Sequence, residues 1–167
     1  MSEVKIDMKM IAAYNKEFIG KVKDFAFFEE GVGVELDNVI KGEVENYGEK
    51  IVFDSPIETV IVDKKELKKY NEGDIVRFKK GFNAKFIEIN EYSARAHFIS
   101  YKNQENPDKP IISWLKRMND TEILMSDGST KRGISPSSLI KEKGMVHFEG
   151  LGYANIEAEG KAVFAYE

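Results

Sequence analysis

Apolar residues recur at every second position through much of this chain. Val4, Ile6, Met8 and Met10 alternate with other residues, and Glu35-Leu36-Asp37-Asn38 reads as the end of a strand and a turn. Alternation of period two turns one face of an extended segment to a core and the other to water, whereas an amphipathic helix repeats every 3.6 residues. No stretch of twelve or more residues holds the helical period, although a helix over 8–14 competes locally with a strand. Turn-forming residues punctuate the apolar runs about every ten positions, as they do in β-sandwiches and small barrels.

The pattern predicts strands over 3–14 and 17–25 about Asn15-Lys16, then over 39–47, 50–54 and 57–63, with Ser55-Pro56 as the turn between the last two. Further strands are predicted at 74–80, at 84–90 paired with 93–101, and at 111–116, where Ile112, Trp114 and Lys116 share a side. Asp127-Gly128, both tolerant of positive φ, should join strands 121–126 and 129–134 as a hairpin. Strands at 145–149, 152–158 and 161–166 complete the chain. Between Asp63 and Gly73 a polar loop with one helical turn should tuck Leu67 inward, and Ser135–Ser138 should form a turn or short 3₁₀ segment that places Leu139.

Two of these stretches match each other. Laid over Ile123–Phe148, the stretch Ile51–Phe78 sets Ile51 on Ile123, Phe53 on Met125, Val62 on Ile134 and Leu67 on Leu139. After the second copy drops two residues, Gly73 falls on Gly144, Val76 on Val146 and Phe78 on Phe148. Few pairs are identical, so a duplication would be a degenerate one, with its matched apolar positions in the core. The linker-like stretch Asn103–Pro110 carries two prolines and no aliphatic residue. It divides the chain into an N-terminal β segment (1–38), a first module (39–102), the linker (103–110) and a second module (111–167).

Each copy runs strand, tight turn, strand, polar loop with one leucine, glycine, strand. With Gly42-Glu43-Val44 opening a strand, Asp127-Gly128 at a turn, and Leu67 and Leu139 ahead of their glycines, the cassette resembles small SH3-like barrels of the Tudor or KOW sort. That resemblance implies an all-β fold of two SH3-like modules in tandem. It leaves residues 1–38 unaccounted for, and these are expected to form an N-terminal β segment packed on the first module. It implies no single function, because such barrels serve many.

Composition narrows the rest. With 42% hydrophobic and 32% charged residues, the 167-residue chain is ordinary for a folded globular protein. It has no cysteine, which removes disulfides and thiolate chemistry. No apolar run approaches the ~20 residues of a bilayer span, and the first ten residues lack a signal-peptide core. A cytoplasmic protein with no membrane partner is therefore expected. Lysines outnumber arginines 21 to 4, a bias that suggests an AT-rich bacterial or phage genome. The net charge of −4 is unevenly laid out: residues 1–63 balance at −7, residues 64–85 at +5, and the remainder at −2.

That basic island holds Lys64, Lys65, Lys68, Lys69, Arg77, Lys79, Lys80 and Lys85, interleaved with Tyr70, Phe78, Phe82 and Phe86. Lysines can contact phosphates and aromatic rings can stack on unpaired bases. Solvated lysines guarding an edge loop are the simpler reading. Trp114 reads by default as a core residue and otherwise as a ligand-binding wall with Tyr153 or Phe148 nearby, and Asp127 marks a place where the two copies disagree. Catalysis finds no constellation. His97 and His147 alternate with apolar neighbours in strands of different modules, and Gly31-Val32-Gly33-Val34 lacks both the third glycine and the helix of a dinucleotide-binding loop. No cofactor or metal is expected. The profile is that of a non-catalytic binding protein with a protein as the leading partner; encoded by a phage, it would be a regulator or inhibitor of host machinery. The alternative is a nucleic-acid-binding module that uses residues 64–85.

Overall fold

The computed structural model describes residues 22–102 and 108–167. The strand predicted over 3–14, most of that over 17–25, and residues 103–107 of the predicted linker lie outside the described residues. Where the chain is described it is nearly all β, arranged as a curled half-barrel and a nearly closed barrel, the two small modules expected. No helix among the described residues is long and apolar enough to cross a membrane.

The first module is built around strand β2 (Gly31–Asp37), in which Val32, Val34 and Leu36 are buried. β2 lies between β5 (Glu58–Asp63, antiparallel) and β8 (Ser93–Ser100, parallel), so Val34 faces Val60 on one side and Ala94 on the other. β7 (Phe82–Ile89) pairs with β8 as the expected hairpin, and β6 (Ile75–Phe78) pairs with β7 on its other side. The inward positions of these strands are aromatic. Phe78 stacks on Phe82 at 4.6 Å, and the edge of Trp114 meets Phe82 at 5.3 Å. A separate hairpin, β3 (Gly42–Asn46) with β4 (Glu49–Phe53), lays Ile51 and Phe53 on the same core.

The strand predicted over 111–116 breaks at Ser113. Ile111–Ile112 (β9) extends the sheet beside β6, while Trp114–Leu115 (β10) extends its opposite edge beside β5. Five consecutive residues thus bridge the two ends of a seven-stranded sheet, with Ile112 and Trp114 buried inside its curl. A segment read as opening the second module therefore finishes the first.

In the second module β11 (Met118–Leu124) and β12 (Thr130–Pro136) pair across Asp127-Gly128, with Gly128 at φ 87°. A 3₁₀ turn (Ser137–Lys141) seats Leu139, and β13 (Gly144–Phe148), β14 (Gly152–Ala158) and β15 (Lys161–Tyr166) follow, β15 returning parallel to β11. The N-terminal segment contributes here too. β1 (Asp24–Phe25) runs parallel to β13, and three residues later Phe28 exchanges both backbone hydrogen bonds with Ile134 of β12, at 2.9 and 2.8 Å. One short run of chain covers both edges of the sheet and nearly closes it. The segment predicted to pack on the first module does so through β2 and reaches the second through β1.

The two copies agree in chain order and in their buried positions: Ile51 with Ile123, Leu67 with Leu139, Val76 with Val146 and Phe78 with Phe148 are all core, while Ile134 and Met125 are half-buried against smaller clusters. They differ in pairing. β11 and β12 form a hairpin, whereas β4 pairs with β3 and β5 with β2. The Ser55-Pro56 connection is held instead by Glu58, whose carboxylate accepts the amides of Asp54 and Ser55, and by Val39 donating to the Pro56 carbonyl.

Barrel closure leaves no room at Gly133, where a methyl group would collide with the carbonyl oxygen of Phe28. Gly133→Ala should destabilise the protein by about 1–3 kcal/mol, whereas Gly33→Ala, whose methyl group would meet only Thr59 and Ile61 at ordinary contact distance, should be near neutral in the same denaturant titration.

Candidate functional site

The β3–β4 hairpin belongs to the first module, yet Tyr47 at its tip packs, half-buried, against the core of the second. Tyr47 and Gly48 have φ of 50° and 82°, the left-handed pair that a two-residue turn between twisted strands requires. The turn carries the Tyr47 ring to within 6.4 Å of Phe25, nearly parallel to it. The Tyr47 hydroxyl donates to Glu149 Oε1 at 2.6 Å, and Ser113 Oγ donates to the same oxygen at 3.1 Å. The Lys79 ammonium pairs with the other oxygen of Glu149 and sits 5.6 Å over the Tyr47 ring. Ser138 donates to the Tyr47 carbonyl at 2.7 Å, and Ser137 to the Glu49 carboxylate. One carboxylate therefore gathers the hairpin tip, the β6–β7 turn and the bridging segment.

This joint walls a cleft of about 390 Å³. Its aromatic side is Phe25 and Tyr47, and its rim carries Lys23, Lys79, Lys80 and Lys141 beside Asp24, Glu45, Glu49 and Glu142. Lys23 is paired with Glu142 at 2.7 Å and Lys79 with Glu149. Lys80 and Lys141 are exposed and hold no ion pair among the described residues, so two cations at the cleft remain available to an anion. A second depression, near 330 Å³, is lined by Glu149 together with Lys65, Asp63, Glu29 and Phe27. Burial raises the Asp63 carboxyl there, while the hydrogen bond from Lys131 lowers that of Glu29. No group of three or more His, Cys, Asp or Glu among the described residues could hold a metal ion.

The basic island does not survive as one patch. Lys79 and Lys80 reach the cleft and Lys65 the second depression; Lys68 and Lys69 line neither. Lys64 is engaged with Glu30 and Glu91 and lies 4.3 Å over Tyr92. Lys69 pairs with Glu66, and half-buried Arg77 donates to the Lys109 carbonyl. Lys65, Lys68 and Lys85 are exposed and unpaired among the described residues. The interleaved phenylalanines cannot stack on bases, since Phe78, Phe82 and Phe86 are all fully buried. Trp114 presents no wall to a ligand for the same reason: it is fully enclosed, and its indole N–H donates to the Lys79 carbonyl.

Asp127 lines neither cleft. Its carboxylate accepts the Ser129 hydroxyl and amide, which hold its pKa below the ordinary value and stiffen the hairpin. Tyr153 is half-exposed and packs between His147 and Tyr166. Lys23, Lys141, Tyr47 and Glu149 were not expected at a site. Nothing local marks them, because they meet only through the packing of one module on the other.

Burial, then the charge and the hydrogen bond of Glu149, push the Tyr47 phenol well above its ordinary value of 10.0. A folded-state value above the unfolded one means that Tyr47 stabilises the fold fully below pH 10 and that this contribution fades as pH rises beyond it. Tyr47→Phe should cost about 1.5 kcal/mol at neutral pH. Its loss of stability above pH 10 in thermal unfolding should be shallower than that of the wild type.

Comparison with known proteins adds one likeness. No family model matches the chain. Over 176 aligned positions, covering 93% of the chain, it is 26% identical to part of the glutamate–tRNA ligase of Thermococcus kodakarensis, and it spans only 30% of that protein's length.

Proposed function

We propose that this chain is a non-catalytic RNA-binding module of the kind that contacts tRNA. The observation that carries the reading is the alignment itself: nearly the whole chain matches less than a third of a protein named for acting on tRNA. A ligase of that name must hold its RNA as well as perform its chemistry. Two β modules with no grouping of catalytic side chains among the described residues suit the first task. Exposed Lys65, Lys68, Lys80, Lys85 and Lys141 offer phosphate contacts, and Lys80 and Lys141 flank a cleft with aromatic walls. The chain's overall negative charge then confines RNA to these places, because the acidic remainder repels it.

A protein partner is the second reading. Exposed Ile40 and Ile57 support it, on segments joined by the Val39–Pro56 hydrogen bond. The resemblance to Tudor- and KOW-type barrels accommodates either class of partner.

Mobility-shift titration with unfractionated tRNA separates the two. Binding should be measurable at low salt and weaken steeply as salt rises. Replacing both cleft lysines, Lys80→Ala with Lys141→Ala, should make the salt dependence shallower by about one unit of slope for each lysine that neutralises a phosphate. Absence of tRNA binding at low salt would overturn the proposal.

A further inference from the structure

The outward face of the second barrel carries a short aromatic ladder. His147 on β13 lies opposite Tyr153 on β14, which lies opposite Tyr166 on β15. The ring centroids are 4.7 and 4.8 Å apart, the two tyrosines nearly parallel. The strand neighbours Val146, Phe148 and Ala154 are buried, so this row points out of the barrel, and all three rings are partly exposed. Two positions further along β13 and β14, and three along β15 because of a register shift, a second outward row begins: Met145, opposite Asn155, opposite Val163, opposite Leu124.

The ladder continues the cleft. His147 Nδ1 is 2.8 Å from the Asp24 carboxylate, and the His147 amide donates to the Lys23 carbonyl; Lys23 and Asp24 both line the cleft. At the other end of the face stand Lys143 and Lys161, both exposed and without an ion pair among the described residues. A line of rings with polar tips, with cations at both ends, matches a polyanion whose planar groups are free to stack. It suits a protein surface less well, since the aliphatic row is interrupted by Asn155. It suits a duplex poorly, because there the base faces are already covered.

Resting on the RNA-binding reading, we infer that the His147–Tyr153–Tyr166 ladder is a stacking platform for unpaired nucleobases of an RNA whose phosphates run toward the cleft lysines. Aromatic side chains stack on bases with little regard to sequence, so the platform selects single-stranded over paired RNA rather than one sequence over another.

The test compares an unstructured oligoribonucleotide, an RNA duplex and unfractionated tRNA on the full chain and on Tyr153→Leu and Tyr166→Leu. Leucine keeps apolar cover on the barrel and removes the ring; Tyr153→Trp keeps a ring, and thermal unfolding checks each variant's fold. Both leucine variants should weaken binding of the single strand by about tenfold or more while leaving the duplex unchanged, and the tryptophan variant should retain binding. Wild-type-like binding of the single strand by folded leucine variants would overturn the platform and leave the RNA reading intact. If the wild type binds none of the three RNAs, the RNA reading falls and the platform with it. Equal losses for single strand and duplex would also overturn it, by showing a general surface effect instead of base stacking.

Discussion

A single carboxylate is the centre of the joint between the two modules. Glu149 stands where the hairpin tip of the first module enters the second, and it accepts from Tyr47 and Ser113 while pairing with Lys79. Taking a phenol and an ammonium partly out of water is costly unless each finds a partner, and here one acceptor serves both. The cleft exists because of this knot, since its wall is the tip that the knot fixes. A module pair joined only by a linker would have no such fixed wall.

The N-terminal segment supplies the second tie. β1 lies in the second barrel and β2 inside the first sheet, between β5 and β8, with fewer than ten residues between β1 and β2. The two tie-points share a device. Each histidine of the chain stands in parallel register opposite an aspartate of this segment: His147 opposite Asp24, and His97 opposite Asp37, with the side chains paired in both cases. What looked like two unremarkable strand histidines are thus matched pins at the two places where the segment is seated. Exposed pairs of this type add little energy each, so backbone pairing and the buried apolar face of β2 dominate.

Much of the fold was legible because it depends on local rules. Period-two alternation marked the strands, Asp127-Gly128 marked its hairpin, and a lone leucine in each polar loop marked Leu67 and Leu139 as core. The misreadings come from a common cause. Trp114 read as opening the second module, with a place in the core as its default role and a ligand wall as the other; it is a core residue, but of the first module's curl. The basic island read as one surface, and the strands distribute it: Lys64 goes to acidic partners, Arg77 to a backbone carbonyl, Lys79 to Glu149, and its phenylalanines to the interior. Neighbours in sequence alternate between the faces of a strand, so a linear run of charge and aromaticity is split by the very geometry that the alternation predicts.

The sequence by itself determined the all-β class, the turns, the recurrent cassette and most of its buried positions, since hydrophobic period and turn chemistry act within about ten residues. Only the tertiary structure decided which strands pair, that residues 111–115 tie two edges of one sheet, and that Lys23, Tyr47, Lys80 and Lys141 surround one cleft. Pairing depends on which edges remain open after the sheets curl, and the cleft on which charges find partners across the joint. Both are contacts between residues far apart in the chain, and no local pattern encodes them.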